Sequence, residues 1–185
     1  MKVFAITGCS GTGKTTLIEK LIAHFVGEGV RVSTLKHAHE GFDLDTPGKD
    51  SHRMRVAGAS QVLISAPKRW VLMQELRDAE EPSLSAHLQR LAPVDLVLVE
   101  GWKFSVLAKL EVHRAVLDKP LRYREDARIM GIASDTPTRF AEEKIAIFNI
   151  NSVAEIASFV LNNAQTMAQI AAVESQVDQM QAQQQ

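Results

Sequence analysis

The sequence is poor in the residues that staple, stack or attract from a distance. Its 185 residues hold a single cysteine, Cys9, which excludes an internal disulfide and suits a reducing compartment. Aromatic residues make up 5%, so Trp70 and Trp102 read as packing or interface residues and not as a base-stacking surface. The formal net charge is −1, which gives no general pull toward nucleic acid or a membrane surface. No run approaches the roughly 18 consecutive apolar residues of a spanning helix. The chain opens on a strand-like run without a charged region, apolar stretch and cleavage site in series, so a cytoplasmic protein with no leader is expected. No internal repeat is apparent. What remains is 45% hydrophobic and 23% charged residues, the make-up of one folded domain with a full core.

Short apolar runs alternate with helical patterns along most of the chain. "KVFAIT" (2–7) reads as a buried strand, and Leu17, Ile18, Leu21, Ile22 and Phe25 follow at helical spacing. "VRVSTLK" (30–36) is a second strand, and the Gly-, Pro- and Asp-rich 37–50 that follows is a loop. Asp50 or Ser51 can cap a short helix running toward Gly58. "SQVLIS" and "WVLMQE" are two strands able to form a hairpin around "APKR". A helix over 84–91 precedes "DLVLVEG" (95–101), apolar on both faces like the middle of a parallel sheet. "AKLEVH", "RIMGIAS" and "KIAIFNI" add strands, and 152–161 is an amphipathic helix. The pattern predicts a layered α/β fold with a mostly parallel sheet and an extra β-hairpin. Residues 1–165 form the expected nucleotide-binding domain, and 166–185 a Gln/Ala-rich tail, helical or disordered. Ile170, Val173, Val177 and Met180 trace a faint seam in that tail, too short for a coiled coil to be assigned.

The stretch 8–15, "GCSGTGKT", carries the chemistry. Gly8, Gly11 and Gly13 let backbone N–H groups approach phosphate oxygens with no Cβ in the way, and Cys9, Ser10 and Thr12 complete the nucleotide-binding loop. The loop empties onto the N-terminus of a helix, whose free N–H groups and dipole favour anions. Lys14 can reach the β- and γ-phosphates, the Thr15 hydroxyl can ligate Mg²⁺, and Thr16 can add a hydrogen bond to the α-phosphate. A strand before and an amphipathic helix after supply the required context. This is a phosphate-binding loop for a nucleoside triphosphate with Mg²⁺.

A second metal element is expected at the end of a neighbouring buried strand, and Glu100 ends "LVLVE". Asp43, Asp45 and Asp50 lie in the loop after the second strand, at the ligand-binding end of the sheet, and Asp45 is the one assigned to the metal shell. Lys36, His37, Lys49, Asp50, Ser51 and Arg53 surround the same loop and form a candidate site for a second ligand. His37, His39 and Glu40 are metal-ligand types, without the spacing of a metal site. Asp135, ending "IMGIASD", stands where a carboxylate could accept from guanine N1–H and N2–H₂, although the usual Asn-Lys-x-Asp signature is absent. No water-positioning residue and no arginine finger is evident, so fast hydrolysis lacks machinery.

The order of "GCSGTGKTTL", "LKHAHEGFDLDTPGKDSHRMRVAGA", "DLVLVEGWK" and "IASDTP" resembles the molybdopterin-guanine dinucleotide biosynthesis adaptor family, MobB, over about residues 2–161. The phosphate-binding loop is shared by many families; "DTPGKDSHR", the "AGA" after it and "VEGWK" are far more specific. The resemblance implies a three-layer P-loop NTPase fold and a GTP-binding homodimer with slow Mg²⁺-dependent hydrolysis at most. It also implies partners: a MobA-type guanylyltransferase, which joins GMP to molybdopterin, and other molybdopterin-handling proteins. By motif it carries the GTP phosphates to residues 11–16 and the acidic metal role to Glu100. Two other readings stay open. A small-molecule kinase could use Asp45 as base and Arg122, Arg124 and Arg128 as a lid. A metallochaperone GTPase could use His37 and His39.

Overall fold

The computed structural model describes residues 1–38 and 41–182. The chain forms two compact units, Met1–His37 with Leu84–Gln185, and Ala38–Ser83. The first unit contains β1 (Lys2–Thr7), α1 (Lys14–Gly27) and β2 (Val32–Lys36). The second contains α2 (Asp50–Val56), β3 (Gln61–Ala66) and β4 (Arg69–Gln74). The first resumes with α3 (Leu84–Arg90), β5 (Leu96–Glu100), β6 (Lys109–His113) and β7 (Ile129–Ser134). It ends with β8 (Ala146–Asn149), α4 (Val153–Asn163), β9 (Gln165–Thr166) and α5 (Met167–Ala182).

In the first unit the strands lie in the order β2-β5-β1-β6-β7-β8, each pair parallel. The phosphate-loop strand β1 is therefore flanked by β5 on one side and β6 on the other. Side chains alternate across the sheet. Phe4, Ile6, Leu96 and Leu98 pack with Leu17, Ile18, Leu21 and Phe25 of α1 and with Ile156, Ala157 and Val160 of α4. Val3, Ala5, Val97 and Val99 pack with Leu84 and Leu88 of α3 and with Ile170 of α5. These two apolar layers make the expected α/β fold with helices on both faces. Fully burying one such Leu or Ile is worth ~2 kcal/mol.

The C-terminal segment is helical and starts inside the core. β6 pairs with β1 only from Ala5 onward, and β9 pairs antiparallel with Lys2 and Val3 to fill the remaining edge. The Gln165 side-chain carbonyl accepts the Ala108 N–H at 2.6 Å. Ile170 has no exposed surface, and the Ser85 hydroxyl donates to Glu174. Val173 and Val177 are half-buried, and the Met180 side chain lies outside the described residues. No described helix is long and apolar enough to cross a membrane.

The second unit carries the expected hairpin, with Ala66 opposite Arg69 and Pro67–Lys68 at the turn. Its organising residue is Arg55, which reaches Asp45 at 2.6 Å, Glu75 at 2.5 Å and Asp43 at 2.8 Å. Val62 is the one residue buried as a whole among the unit's described residues, and the Asp45 carboxylate is 4% exposed. Phe42, Leu44, Leu63, Trp70 and Leu72 are exposed.

One face of β6 is polar and buried: Lys109, Glu111 and His113 are at most 5% exposed. Each is matched. The Lys109 ammonium donates to Asp126 at 2.8 Å and to the Ser105 carbonyl at 2.7 Å. The Glu111 carboxylate accepts the N–H groups of Arg122 and Tyr123. His113 Nδ1 shares a 3.1 Å hydrogen bond with the Ser134 hydroxyl, with the Phe140 ring edge-on to the imidazole. Burial pushes Lys109 down and Glu111 up from their ordinary values, their hydrogen-bond partners opposing it in both cases.

Two outcomes follow from this face. Asp126→Ala leaves the Lys109 charge without its counterion and should lower stability by about 3 kcal/mol in urea unfolding, Lys109→Met costing less. Burial first, and then the Arg139 charge, hold His113 below its ordinary 6.5, with Asp135 opposing. The folded state therefore favours neutral imidazole, and its contribution is complete above pH 6.5 and lost as pH falls through the lowered value. The melting temperature should fall more steeply below pH 6.5 in the wild type than in His113→Gln; parallel curves would remove His113 as the cause.

Candidate nucleotide site

At the end of β1 the backbone passes so close to β6 that only glycine fits. A Cβ on Gly8 would lie 2.5 Å from the Val112 carbonyl oxygen, and its φ of +135° disfavours any side chain. The loop then closes on itself through the Cys9 carbonyl, which accepts the Thr12 hydroxyl and the Lys14 ammonium, each at 2.9 Å. Gly13, with φ of +93°, caps α1. Ser10, Gly11, Thr15 and Thr16 are exposed and Lys14 is half-buried, so the loop and first helical turn face solvent. Burial first, against the pull of Glu100, lowers the Lys14 pKa. The Cys9 thiol is half-buried, 4.0 Å from the Pro120 carbonyl.

The acidic partner comes from β5. Ile6 of β1 and Lys36 of β2 both pair with Glu100 in register, so three strand ends meet there. The Thr15 hydroxyl lies 3.0 Å from both Glu100 oxygens, and the Lys36 ammonium is 3.4 Å from one of them. The backbone behind Glu100 is firmly held. His37 N–H donates to the Glu100 carbonyl at 2.9 Å, and a Cβ on Gly101 would stand 3.1 Å from the His37 carbonyl oxygen. Trp102 follows with positive φ, its ring 4.6 Å from the His37 ring and 5.5 Å from the His87 ring. Trp102 thus packs at this corner, while Trp70 is exposed on the second unit.

An exposed Thr hydroxyl beside a carboxylate is a hard-oxygen donor pair that suits Mg²⁺, which keeps most of its waters and takes few protein ligands. Asp45 does not join them in the same unit. Its carboxylate is 4% exposed, with one oxygen on the Ser51 hydroxyl and the other on Arg55. Of the other predicted loop residues, Lys36 and His37 belong to the first unit, and Lys49, Asp50, Ser51 and Arg53 to the second. Asp50 pairs with Arg53 at 3.8 Å, and Lys49 precedes α2. His39 and Glu40 lie outside the described residues; among those described, no three metal-ligating side chains gather.

Asp135 stands just past β7 as expected, but its carboxylate already has partners. One oxygen accepts the Ala115 N–H at 3.1 Å and the other lies 3.7 Å from Arg114. The Ala115 hydrogen bond, ahead of the Arg114 charge, holds its pKa below the ordinary carboxylate value. Arg114 escaped the sequence reading although its Nε donates to the Thr12 carbonyl at 3.3 Å. Its signal was positional: it directly follows a parallel strand, at the end where such sheets bind ligands.

Comparison with known proteins agrees with this geometry. The family model "Molybdopterin guanine dinucleotide synthesis protein B" matches residues 3–135. A molybdopterin-guanine dinucleotide biosynthesis adapter protein of Escherichia coli is 38% identical over 162 residues, covering 86% of this chain and 91% of its own. The Haemophilus influenzae protein of the same name is 38% identical, with 86% and 88% covered. A MobB homolog from Bacillus stearothermophilus has a crystal structure with 25% identity and a TM-score of 0.62, covering 88% of this chain and 97% of its own. Bacillus subtilis MobB, 22% identical with a TM-score of 0.67 over 89% and 99%, shares the fold. A phosphate-binding loop facing a strand-end carboxylate, together with this match over most of the chain, places the protein in the MobB family.

Proposed function

We propose that this chain is a GTP-binding adaptor of molybdenum cofactor biosynthesis, which holds GTP·Mg²⁺ for a MobA-type guanylyltransferase acting on molybdopterin. The observation that carries the reading is the Thr15–Glu100 pair standing over a phosphate-binding loop in a MobB chain. Gly8, Gly11 and Gly13 shape the loop, the N–H groups of residues 9–16 meet the phosphates, and Lys14 supplies the point charge. Thr15 and Glu100 would hold the metal and its waters; the ion, when bound, offsets the phosphate charge. Asp135 is the proposed acceptor for guanine, its charge preserved by Ala115 and Arg114.

Holding is favoured over cutting or transfer. The kinase reading needs Asp45 as a base, yet both Asp45 oxygens are engaged by Ser51 and Arg55, and Arg124 of its three lid arginines is paired with Glu143. A homodimer is supported by the second unit, in which Val62 is the one buried apolar residue among those described and Phe42, Leu44, Leu63, Trp70 and Leu72 are exposed. The proposed setting is the cytoplasm, with molybdopterin-handling proteins as neighbours and any hydrolysis slow.

Calorimetry with GTP and ATP, each with and without Mg²⁺, followed by titration of a MobA-type protein, tests the reading. GTP should bind more tightly than ATP, more tightly still with Mg²⁺, and the partner should associate. Equal binding of the two nucleotides without association would defeat it. Lys14→Ala should weaken triphosphate binding roughly 100-fold with the melting temperature little changed, since among the described residues its ammonium bonds only the Cys9 carbonyl of the loop and packs in no apolar core. Glu100→Gln should cut the Mg²⁺ affinity of the complex about tenfold or more while metal-free GTP binding changes little.

A further inference from the structure

A nucleotide bound at this loop has two ends, and the structure indicates where each goes. The metal and the β- and γ-phosphates belong with Lys14, Thr15, Glu100 and Lys36, all on the β5 side of β1. The nucleoside must then leave over the opposite neighbours, β6 and β7. That side holds a cleft of about 610 Å³, lined in part by His113, Asp118, Pro120, Arg139 and Phe140, which is room enough for a base and sugar. Arg114 directly follows His113 of that lining and donates to the Thr12 carbonyl of the loop.

Arg114 is held at its edges and half-open to solvent. Its Nε donates to the Thr12 carbonyl at 3.3 Å, and Nη1 is 3.7 Å from Asp135, itself fixed by the Ala115 N–H. Nη2 lies 3.4 Å from where a Cβ of Gly13 would be, so the missing side chain of Gly13 leaves the guanidinium its place. A guanidinium is a planar, weakly hydrated cation that stacks well on a heteroaromatic ring, and the Arg114 side chain is 35% exposed.

We infer that Arg114 is a nucleoside-positioning residue, a flat shelf set by Thr12 and Asp135 on which the base of the bound nucleotide stacks. The inference rests on the nucleotide-binding reading above and adds what separates a nucleoside triphosphate from a bare triphosphate. Stacking is indifferent to which base is present, so Arg114 raises affinity for nucleosides as a class, while guanine selection stays with Asp135.

The test is calorimetry on the full chain with GTP, ATP and inorganic tripolyphosphate, for wild type, Arg114→Ala and Arg114→Lys. Both variants should lose roughly tenfold for GTP and for ATP, while tripolyphosphate, which needs only the loop, stays within about twofold. Retained tripolyphosphate binding also reports that the loop is still folded. An equal loss for all three ligands would make Arg114 a phosphate or structural residue and overturn the inference. So would a loss confined to GTP, wild-type affinity in Arg114→Lys, or no loss at all. Failure of the wild-type chain itself to bind GTP would instead overturn the reading on which this one rests.

Discussion

The nucleotide end of this protein depends on one close approach, that of the Gly8 backbone to the Val112 carbonyl. Here the chain leaving β1 is pressed against β6 and must turn at once, with a backbone angle that side chains disfavour. That turn sends Cys9 to Gly13 round in a loop and starts α1 at Lys14. It also decides which neighbours the loop can reach: Thr15 meets the end of β5, and Thr12 meets the residue after β6. A wider spacing at Gly8 would lose both contacts together.

The two flanking strands are built differently, in keeping with what they hold. β5 is apolar on both faces until Glu100, so a single charge stands at the end of a rigid, dry strand. β6 carries Lys109, Glu111 and His113 inside, and through them it ties down the chain around residues 122–126 and the end of β7. Buried charges contribute little net stability, because desolvation offsets most of the attraction. What they supply here is a defined path for a stretch that has little apolar content of its own.

Much of this was readable from the residues. The loop 8–15, the strand before it and the acid at Glu100 follow from spacing and hydrophobic pattern, which are local properties. The hairpin was legible for the same reason. Arg114 was not, since a lone arginine after "LEVH" has no pattern, and its meaning comes from Thr12, which is remote in sequence. Asp45 is of metal-ligand type, and no local pattern shows its pairing with Arg55. In the Gln/Ala-rich C-terminal segment Ile170 is legible only as part of a faint seam, because its burial depends on the sheet it meets. The strand at "KLEVH" is legible, but the burial of its polar letters is not, because the groups that match them come from elsewhere in the chain.

The short β9 has a consequence beyond completing the sheet. β1 is a central strand, but the offset start of β6 leaves the backbone of Lys2 and Val3 open on one side, next to the apolar Phe4. Gln165 and Thr166 occupy that gap, and Ile170 anchors them from below. Were this segment to peel away, the middle of the sheet would present a template for any extended peptide, including another copy of the chain. The start of the last helix therefore covers an edge in the middle of the sheet that would otherwise stay open.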